Sequence, residues 1–597
     1  MNEFEGIGKE YILRFLEANP NIMELLNSQT NEICEPYNDS ISAGKNSYAY
    51  DAHTYHTKVP PQGIERLINY YTKEGDVVLD PFCGSGMTGL AAIRQKRNVI
   101  LSDISPAAIF IAKNFTSGYS HIKYCEAVDD ILKDLSNLER SLYSTQCSIC
   151  NKEAISNYMV WSYGLICNKC NQEFILWDVA RDEKPSYKES KILNDFECPH
   201  CNNRIKKSNL RRTKLYPVLI GYKCCQKGLK DLTELPKKFD LNKLSEIEQI
   251  EIDSWYPKNH FPQGVNTKQP INHGINSIDK IYTRRALISL SKIWEKCISY
   301  KDENIRPLLL WTFTSLYQRV SIFSEFRFWG GSGNTANYNV PQIMNEQNVF
   351  KTFKRKASTI SFHLRETSQN SAKKHISVKS STQLNHIPDN SIDYIFTDPP
   401  FGSNINYSEM NFIWESWLQN FTDNKNEAIV NKVQHKGIED YAKLMTDSFK
   451  EMKRVLKVGS WVTIVFHNSS EQIWNAIRLA LFESGFQISK AQIFDKQHGT
   501  FKMFVSENAV GYDLILHCQK NSSIKSKKNI ETSVVDFVKD RIKNGNYISN
   551  FIHVDRSSET NFRKLYSEWI ASEITSNEIK ISFDTFRNLA SKLIEYA

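Results

Sequence analysis

Three groups of residues have types and spacings that could do chemistry. The first runs Asp80-Pro81-Phe82-Cys83-Gly84-Ser85-Gly86-Met87-Thr88-Gly89, a GxGxxG spacing, and Asp103 follows Gly84 by 19 positions. Glycines let a backbone approach a ligand closely, a helix N-terminus offers unpaired N–H groups, and a carboxylate ending the next strand accepts hydrogen bonds from ribose hydroxyls. The set suits an adenosine cofactor. A nicotinamide cofactor meets the same pattern, but a carboxylate at Asp80 would repel a pyrophosphate and suits the ammonium group of a methionine moiety. S-adenosylmethionine (SAM) is therefore favoured. The plain alternative is a glycine turn that holds no ligand.

The second group is Asp398-Pro399-Pro400-Phe401, directly after the apolar run SIDYIFT. Proline carries no N–H, so the segment presents carbonyl oxygens and a carboxylate without competing donors. Such acceptors suit an exocyclic amino group, with its two N–H bonds received by the Asp398 carboxylate and the Pro399 carbonyl. Holding both hydrogens out of the ring plane localises the nitrogen lone pair for attack on a sulfonium methyl. Phe401 offers a face for a flipped base to stack on. The alternative is a tight turn with Asp398 as a solvated cap.

The third group is cysteine. Eight of the 13 fall between Cys147 and Cys225. Cys147-x2-Cys150 and Cys167-x2-Cys170, 16 residues apart, have the spacing of a four-cysteine zinc ribbon. Cys198 and Cys201 form a third knuckle whose expected partners are Cys224 and Cys225, with His200 or a three-cysteine site as alternatives. Closed thiolate sites of this type are structural. Buried free thiols are the bland reading. Three further segments suit nucleic acid: RIKKSNLRRTK (204 to 214, including Arg204, Lys206, Lys207, Arg211 and Arg212), KTFKRK (351 to 356), and the aromatic and glycine-rich FSEFRFWGGSGNTANYN (323 to 339). Charge runs are also commonly solvated faces.

The elements that must position these groups follow from periodicity. Residues 64 to 104 read as helix, strand, glycine loop, helix, strand, a βαβ unit, and such sheets place ligands at the C-terminal ends of strands. The pattern resumes with strands in SIDYIFTD, SWVTIVFH, QISKAQIFD and YDLILHCQ. Between them lie helices in DYAKLMTDSFKEMKRVLK and EQIWNAIRLALFESG, the latter capped at Gly485. Neither half supplies enough strands alone, so one α/β sheet is interrupted by an insertion of roughly 250 residues. The insertion shows helical patterning in RRALISLSKIWEKCI and RPLLLWTFTSLYQRV. NSSIKSKKN (521 to 529) reads as a linker to a small helical tail.

Composition sets the outer limits. The 597 residues are 41% hydrophobic and 12% aromatic, which excludes wholesale disorder, and the formal charge of +8 is too mild to identify a partner by itself. No apolar run of membrane-spanning length and no signal-peptide pattern occurs, so the expected location is cytoplasmic and no membrane partner is expected.

DPFCGSG followed by SDISP, and later SIDYIFTDPPFGSNINYSE, resemble the motifs of the DNA amino-methyltransferases that modify adenine N6 or cytosine N4. The chain is most similar to the zinc-ribbon-containing adenine-specific DNA methylases of bacteria and archaea. That resemblance extends to YHTKVPPQGIERLI, the cysteine block, GINSIDKIYTRRALISLSKIW and VLKVGSWVTIVFHNSSEQIWNAI. It implies a Rossmann-like SAM-dependent sheet as 1 to 125 and 376 to 520, a zinc-ribbon insertion as 140 to 232, a mainly helical target-recognition insertion as 233 to 375, and a C-terminal helical region as 530 to 597. The implied cofactor residues are Asp80, Phe82, Gly84, Gly86, Thr88, Asp103 and Ile104, with Lys58 and Pro60 from the segment that closes over the cofactor. The implied catalytic residues are Asp398, Pro399, Pro400 and Phe401. The implied partners are double-stranded DNA and a separate nuclease or defence-system subunit. Relatives often have Tyr at the position of Phe401, and an acidic residue near where Ser380 and Ser381 stand here. The rival readings are a cytosine-N4 DNA methyltransferase, an RNA guanine-amino methyltransferase, and an inactive zinc-ribbon nucleic-acid-binding protein. A cytosine-C5 enzyme is disfavoured because the chain lacks a Pro-Cys dipeptide.

Overall fold

The computed structural model describes residues 3–27, 33–42, 48–182, 184, 189–224, 231–330, 332–334, 338–367, 371–495, 513–520, 534–544, 556–575, 579 and 581–595. The fold is mixed α/β with two large sheets. The strands of the first, in chain order, are β1 (Ile41–Ser42), β2 (Val77–Asp80), β3 (Asn98–Asp103), β4 (Lys374–Val378), β5 (Ile392–Thr397), β6 (Leu456–Phe466), β7 (Gln487–Asp495) and β8 (Asp513–Gln519). They lie in the order β1-β7-β8-β6-β5-β2-β3-β4. The five strands from β4 to β6 run parallel, and β8 is antiparallel to both β6 and β7. VVLD in β2 and IDYIFT in β5 are buried throughout, as parallel strands covered on both faces require.

The chain winds outward from β2 through β3 to β4, then restarts on the other side of β2 with β5 and β6. The sheet therefore reverses direction between β2 and β5. A crevice opens beyond the strand ends at such a point. Asp80 ends β2 and Asp398 follows β5, so the reversal brings the glycine loop and the proline tetrad together across 318 positions of sequence.

The chain between β3 and β4 builds the second sheet, whose strands lie in the order Asp231–Glu234, Arg211–Lys223, Glu153–Ile166, Ile343–Gln347, Ser324–Phe326, Ser332–Asn334. Ile343–Gln347 pairs antiparallel with Tyr158 to Ser162. The expected division near residue 232 is thus no break in the ladder, and the stretch read as mainly helical supplies three strands to the cysteine-rich sheet. Its helices are present too. RRALISLSKIWEKCI is one helix, Arg284–Ile298, but RPLLLWTFTSLYQRV divides into Arg306–Thr314 and Tyr317–Val320, with the Ser315 hydroxyl donating to the Thr312 carbonyl at 2.7 Å.

Aromatic packing joins the insertion to the first sheet. Trp294, Phe313 and Trp417 meet with ring centroids 4.7–5.5 Å apart. Arg285 and Glu346, both buried, form an ion pair at 2.8 Å, and the Trp161 indole N–H donates to the same carboxylate at 2.6 Å. C-terminal helices Arg556–Glu573 and Phe583–Glu595 pack their aromatics into the core that holds helix Glu471–Glu483. The Asn475 amide exchanges two hydrogen bonds with the backbone of Ile579. The proposed linker, 521 to 529, lies outside the described residues. No helix among the described residues is long and apolar enough to cross a membrane.

Candidate active site and cysteine centres

A cleft lies beyond the C-terminal ends of β2, β3 and β5. Of the residues expected at a cofactor or substrate, it is lined by Lys58, Asp80, Phe82, Gly84, Thr88, Asp103, Ile104, Asp398 and Pro400. Four carboxylates, those of Asp80, Asp103, Asp398 and Glu427, face this space. Among the described residues Lys58 is its one basic lining residue, and the ammonium donates to the carbonyls of Tyr50 and His53.

The glycine loop is built around its two acids. Asp80 accepts from the Thr88 hydroxyl at 2.6 Å, the Thr397 hydroxyl at 3.0 Å and the Phe82 N–H at 3.1 Å. Asp103 accepts from the N–H groups of Gly84 at 3.0 Å and Ser105 at 2.9 Å. Burial is the main cause that pushes both carboxyls up, Asp80 to about 7 and Asp103 to about 6, against hydrogen bonds that hold them down. The two glycines do different work. Gly84 has φ +47° and faces the Tyr55 ring, where a Cβ would stand 2.9 Å from Cε1. Gly86 has φ +82° and does not line the cleft; a Cβ there would stand 2.7 Å from the Ala112 Cβ and 2.8 Å from its Cα. Gly86 thus lets helix Met87–Arg94 approach helix Pro106–Phe115, a packing role where a cofactor role was expected.

Backbone contacts fix the tetrad. The Tyr441 hydroxyl donates to the Pro400 carbonyl at 2.8 Å, and the Asn468 amide donates to the Phe401 carbonyl at 2.9 Å. The Pro399 carbonyl receives no hydrogen bond from the described residues. Asp398 is half-buried on the cleft. Phe401 differs from expectation. Its ring is buried edge-on against Phe466 at 5.3 Å and against His467 at 5.9 Å, and it is not among the residues lining the cleft. Pro60 and Pro399 are buried outside the lining, and Pro60 immediately precedes helix Pro61–Tyr71.

Several lining residues went unread in the sequence: Tyr55, Tyr407, Ser408, Thr422 and Glu427. Helix Tyr407–Leu418, directly after the tetrad, carries apolar residues at Met410, Ile413, Trp414, Trp417 and Leu418, a helical period that could have been found. It is tied to the end of β3. The Asn411 amide donates to Ser105 Oγ at 2.9 Å, Ser105 Oγ donates to Glu415 at 2.7 Å, and His56 Nε2 donates to Asn411 Oδ1 at 2.9 Å. Glu415 also accepts from Thr422, and burial raises it to about 7. Glu427 accepts from the N–H and hydroxyl of Ser408 at 2.8 and 2.6 Å. Where relatives were expected to carry an acid, Ser381 lines the cleft and bonds to Ser448 at 2.8 Å, whereas Ser380 turns to Thr382.

The cysteines come together, but not in sequence order. Cys167 and Cys170 group with Cys198 and Cys201, and Cys147 and Cys150 group with Cys224, the sulfurs of each group lying within 4.8 Å of one another. The expectation that the first two knuckles share one site is corrected: strands Glu153–Ile166 and Arg211–Lys223 separate them to opposite ends of a long antiparallel pair. Contacts of 3.8 Å (Cys167 to Cys201), 3.7 Å (Cys170 to Cys198) and 3.9 Å (Cys150 to Cys224) are far longer than a disulfide. They match the separation of about 3.8 Å that four bonds of about 2.3 Å in a tetrahedron require. Each CxxC is followed by Asn with φ between 53° and 56°, namely Asn151, Asn171 and Asn202, whose N–H returns to the first cysteine's carbonyl. CxxCN is thus a sharper signature than CxxC, because Asn tolerates the left-handed turn. His200 Nε2 donates to the Glu173 carbonyl, 3.0 Å away, and belongs to neither group. Cys225 lies outside the described residues.

Comparison with known proteins bears on the first sheet. Residues 18–114 match the family model of the N6/N4 methyltransferases, described as DNA methylase. A 57-residue stretch is 46% identical to the Type II methyltransferase M2.DpnII of Streptococcus pneumoniae, covering 10% of this chain and 21% of that protein. The same length and identity are found with the Type II methyltransferase M2.LlaDCHI of Lactococcus lactis subsp. cremoris. Over 98 residues the chain is 29% identical to the Type II methyltransferase M.MjaII of Methanocaldococcus jannaschii, covering 16% of this chain and 18% of that protein. The chain spans about a fifth of the length of the curated relatives it matches. No solved structure matches it. The family match contains the glycine loop, Asp80 and Asp103, and ends well before the tetrad.

Proposed function

We propose that the protein is a SAM-dependent DNA methyltransferase acting on an exocyclic amino group, adenine N6 in preference to cytosine N4, with a Rossmann-like sheet as its catalytic frame. The observation that carries this reading is the acidic cleft. Its four carboxylates would repel a dinucleotide pyrophosphate and favour a ligand with sulfonium and ammonium charges. The family match over the glycine loop supports the same cofactor. SAM supplies an electrophilic methyl group when bound. Asp103 would accept from the ribose hydroxyls and the Asp80 carboxylate would favour the cationic end, with Tyr55 lying over Gly84. Asp398 and the Pro399 carbonyl receive the two amino hydrogens and align the nitrogen lone pair. The transfer would form an N–C bond and break a C–S bond, with the proton lost from nitrogen passing to solvent. With the Phe401 ring packed inward, the exposed faces of the target base fall to other lining aromatics, among them Tyr407 at the start of the helix that follows the tetrad.

Cys167, Cys170, Cys198 and Cys201 are proposed to hold one structural zinc ion, and Cys147, Cys150 and Cys224, with Cys225 as candidate fourth ligand, a second. The segmentation into catalytic halves, insertion and C-terminal helices, the separate nuclease or defence partner, and a cytoplasmic location in a prokaryote belong to the same proposal. Incubating the protein with SAM and duplex DNA, then digesting the product for mass spectrometry, tests it. N6-methyladenine is expected. N4-methylcytosine alone would move the base assignment, and unmodified DNA beside methylated structured RNA would move the substrate.

A further inference from the structure

Residues 324 to 329 and 355 to 356, which the reaction does not use, are brought to one surface by helix Tyr317–Val320, which packs on both strands of a hairpin and on helix Val349–Thr367. Strands Ser324–Phe326 and Ser332–Asn334 pair as a hairpin whose connection carries Arg327, Phe328 and Trp329. Phe328 is anchored, stacked on Trp177 at 5.5 Å. Trp329 is 66% exposed, and the Arg327 guanidinium stands 5.0 Å from its ring centroid. Helix Tyr317–Val320 brings Arg319 to this surface and helix Val349–Thr367 brings Arg355 and Lys356.

The cations act on one another. Besides its burial, Arg319 is lowered by the charges of Arg355 and Arg327, and Lys356 is lowered to about 8 by burial and by Arg319 and Arg355. Glu325 lies 3.5 Å from Arg327, and Asp51 raises Lys356. The surface also adjoins the cleft, because Lys356 Nζ donates to the Asp51 carbonyl at 2.9 Å, and the chain from Asp51 runs directly into Tyr55, Thr57 and Lys58 of the cleft wall. Clustered like charges favour a polyanion, and an exposed indole stacked on guanidinium favours one with flat bases. The segment with the most basic residues is a weaker candidate, since Arg212 is committed to the Tyr163 ring and to the carbonyls of Val340 and Pro341.

We propose that Arg319, Arg327, Arg355 and Lys356, with Trp329, form the surface that grips duplex DNA beside the target base, cations on phosphates and the indole against a base step. The proposal rests on the methyltransferase reading. Binding of the full-length protein to a short duplex is measured over a salt series, with SAM titrated calorimetrically against each variant. The double variant R327A/R355A is expected to lower the salt slope by roughly 2, one unit per lost phosphate contact. R327K/R355K is expected to restore it. W329A is expected to weaken binding by about 10-fold without changing the slope, with W329F recovering most of the loss. An unchanged slope in R327A/R355A with intact SAM binding overturns the surface, as does wild-type preference for structured RNA over duplex DNA. Wild-type methylation of DNA with unchanged variant slopes removes the surface and leaves the reaction. The expected slopes without any methylation leave the surface and remove the reaction.

Discussion

The two sheets of this protein solve the same problem by opposite means. The first buries continuous apolar strands between helices, and its parallel order delivers Asp80, Asp103 and Asp398 to one edge. The second is antiparallel, built on the long pair Glu153–Ile166 and Arg211–Lys223, with cysteine clusters at both ends of that pair. The acidic cleft sits at strand ends in the first, whereas in the second the strand ends carry the cysteine clusters. A sheet with helices on both faces holds itself by burial. The knuckles at the ends of the second sheet leave the residues between their cysteines exposed, so they bury less and call for another source of free energy.

The largest expected effect separates the two. Structural thiolate zinc contributes on the order of 10 kcal/mol to folding, so chelation, or Cys167→Ser with Cys198→Ser, should unfold the knuckles. Hydrogen exchange should show lost protection across residues 144 to 223 while SAM still binds the first sheet. Unaltered protection in metal-free protein would show that the second sheet stands by burial after all.

Next in size is Asp398→Ala, expected to slow methyl transfer by about 10³-fold, or about 4 kcal/mol, while calorimetry finds SAM affinity unchanged. Equal losses in both would place Asp398 on the cofactor. A smaller change tests the glycine loop as packing. Gly86→Ala puts a Cβ 2.7 Å from that of Ala112 at positive φ, and should cost about 2–3 kcal/mol in denaturant unfolding. Stability within a few tenths of wild type would mean that the two helices yield easily.

The smallest effect is pH dependence. A carboxyl whose folded pKa lies above its unfolded value destabilises the fold in full above the folded pKa, and the penalty is relieved as pH falls toward the unfolded value. Burial raises Asp80 to about 7, Asp103 to about 6 and Glu415 to about 7. The ligand-free protein should therefore gain stability as pH falls from about 8 to about 5, until other groups titrate. SAM affinity should move the other way, since protonation removes the charges that favour a cation. Parallel trends in thermal melts and calorimetry would contradict an acidic cofactor cleft, and Asp80→Asn should flatten both.

How far these features could be read in advance depended on range. VVLD, NVILSD and QISKAQIFD are strands where their apolar runs indicate, and Gly485 ends its helix at φ +80°. The cleft-lining Gly84 and the packing Gly86 share one motif, and only their neighbours, Tyr55 and Ala112, separate the roles. Phe401 occupies the last place of a catalytic motif, yet Phe466 and His467 take up its ring.

What the sequence determined by itself was local: a strand, a glycine turn and a helix in a row, a tetrad of acceptors, and three knuckles each closed by an asparagine. Backbone geometry and turn chemistry act over a few residues, so residue types suffice to specify them. The partner of each knuckle, the membership of residues 324 to 347 in the cysteine-rich sheet, and the meeting of Arg319, Arg327 and Arg355 were decided only by tertiary structure. Those pairings are set by strand register and burial across more than a hundred residues in places, and no short-range pattern encodes which strand lies beside which.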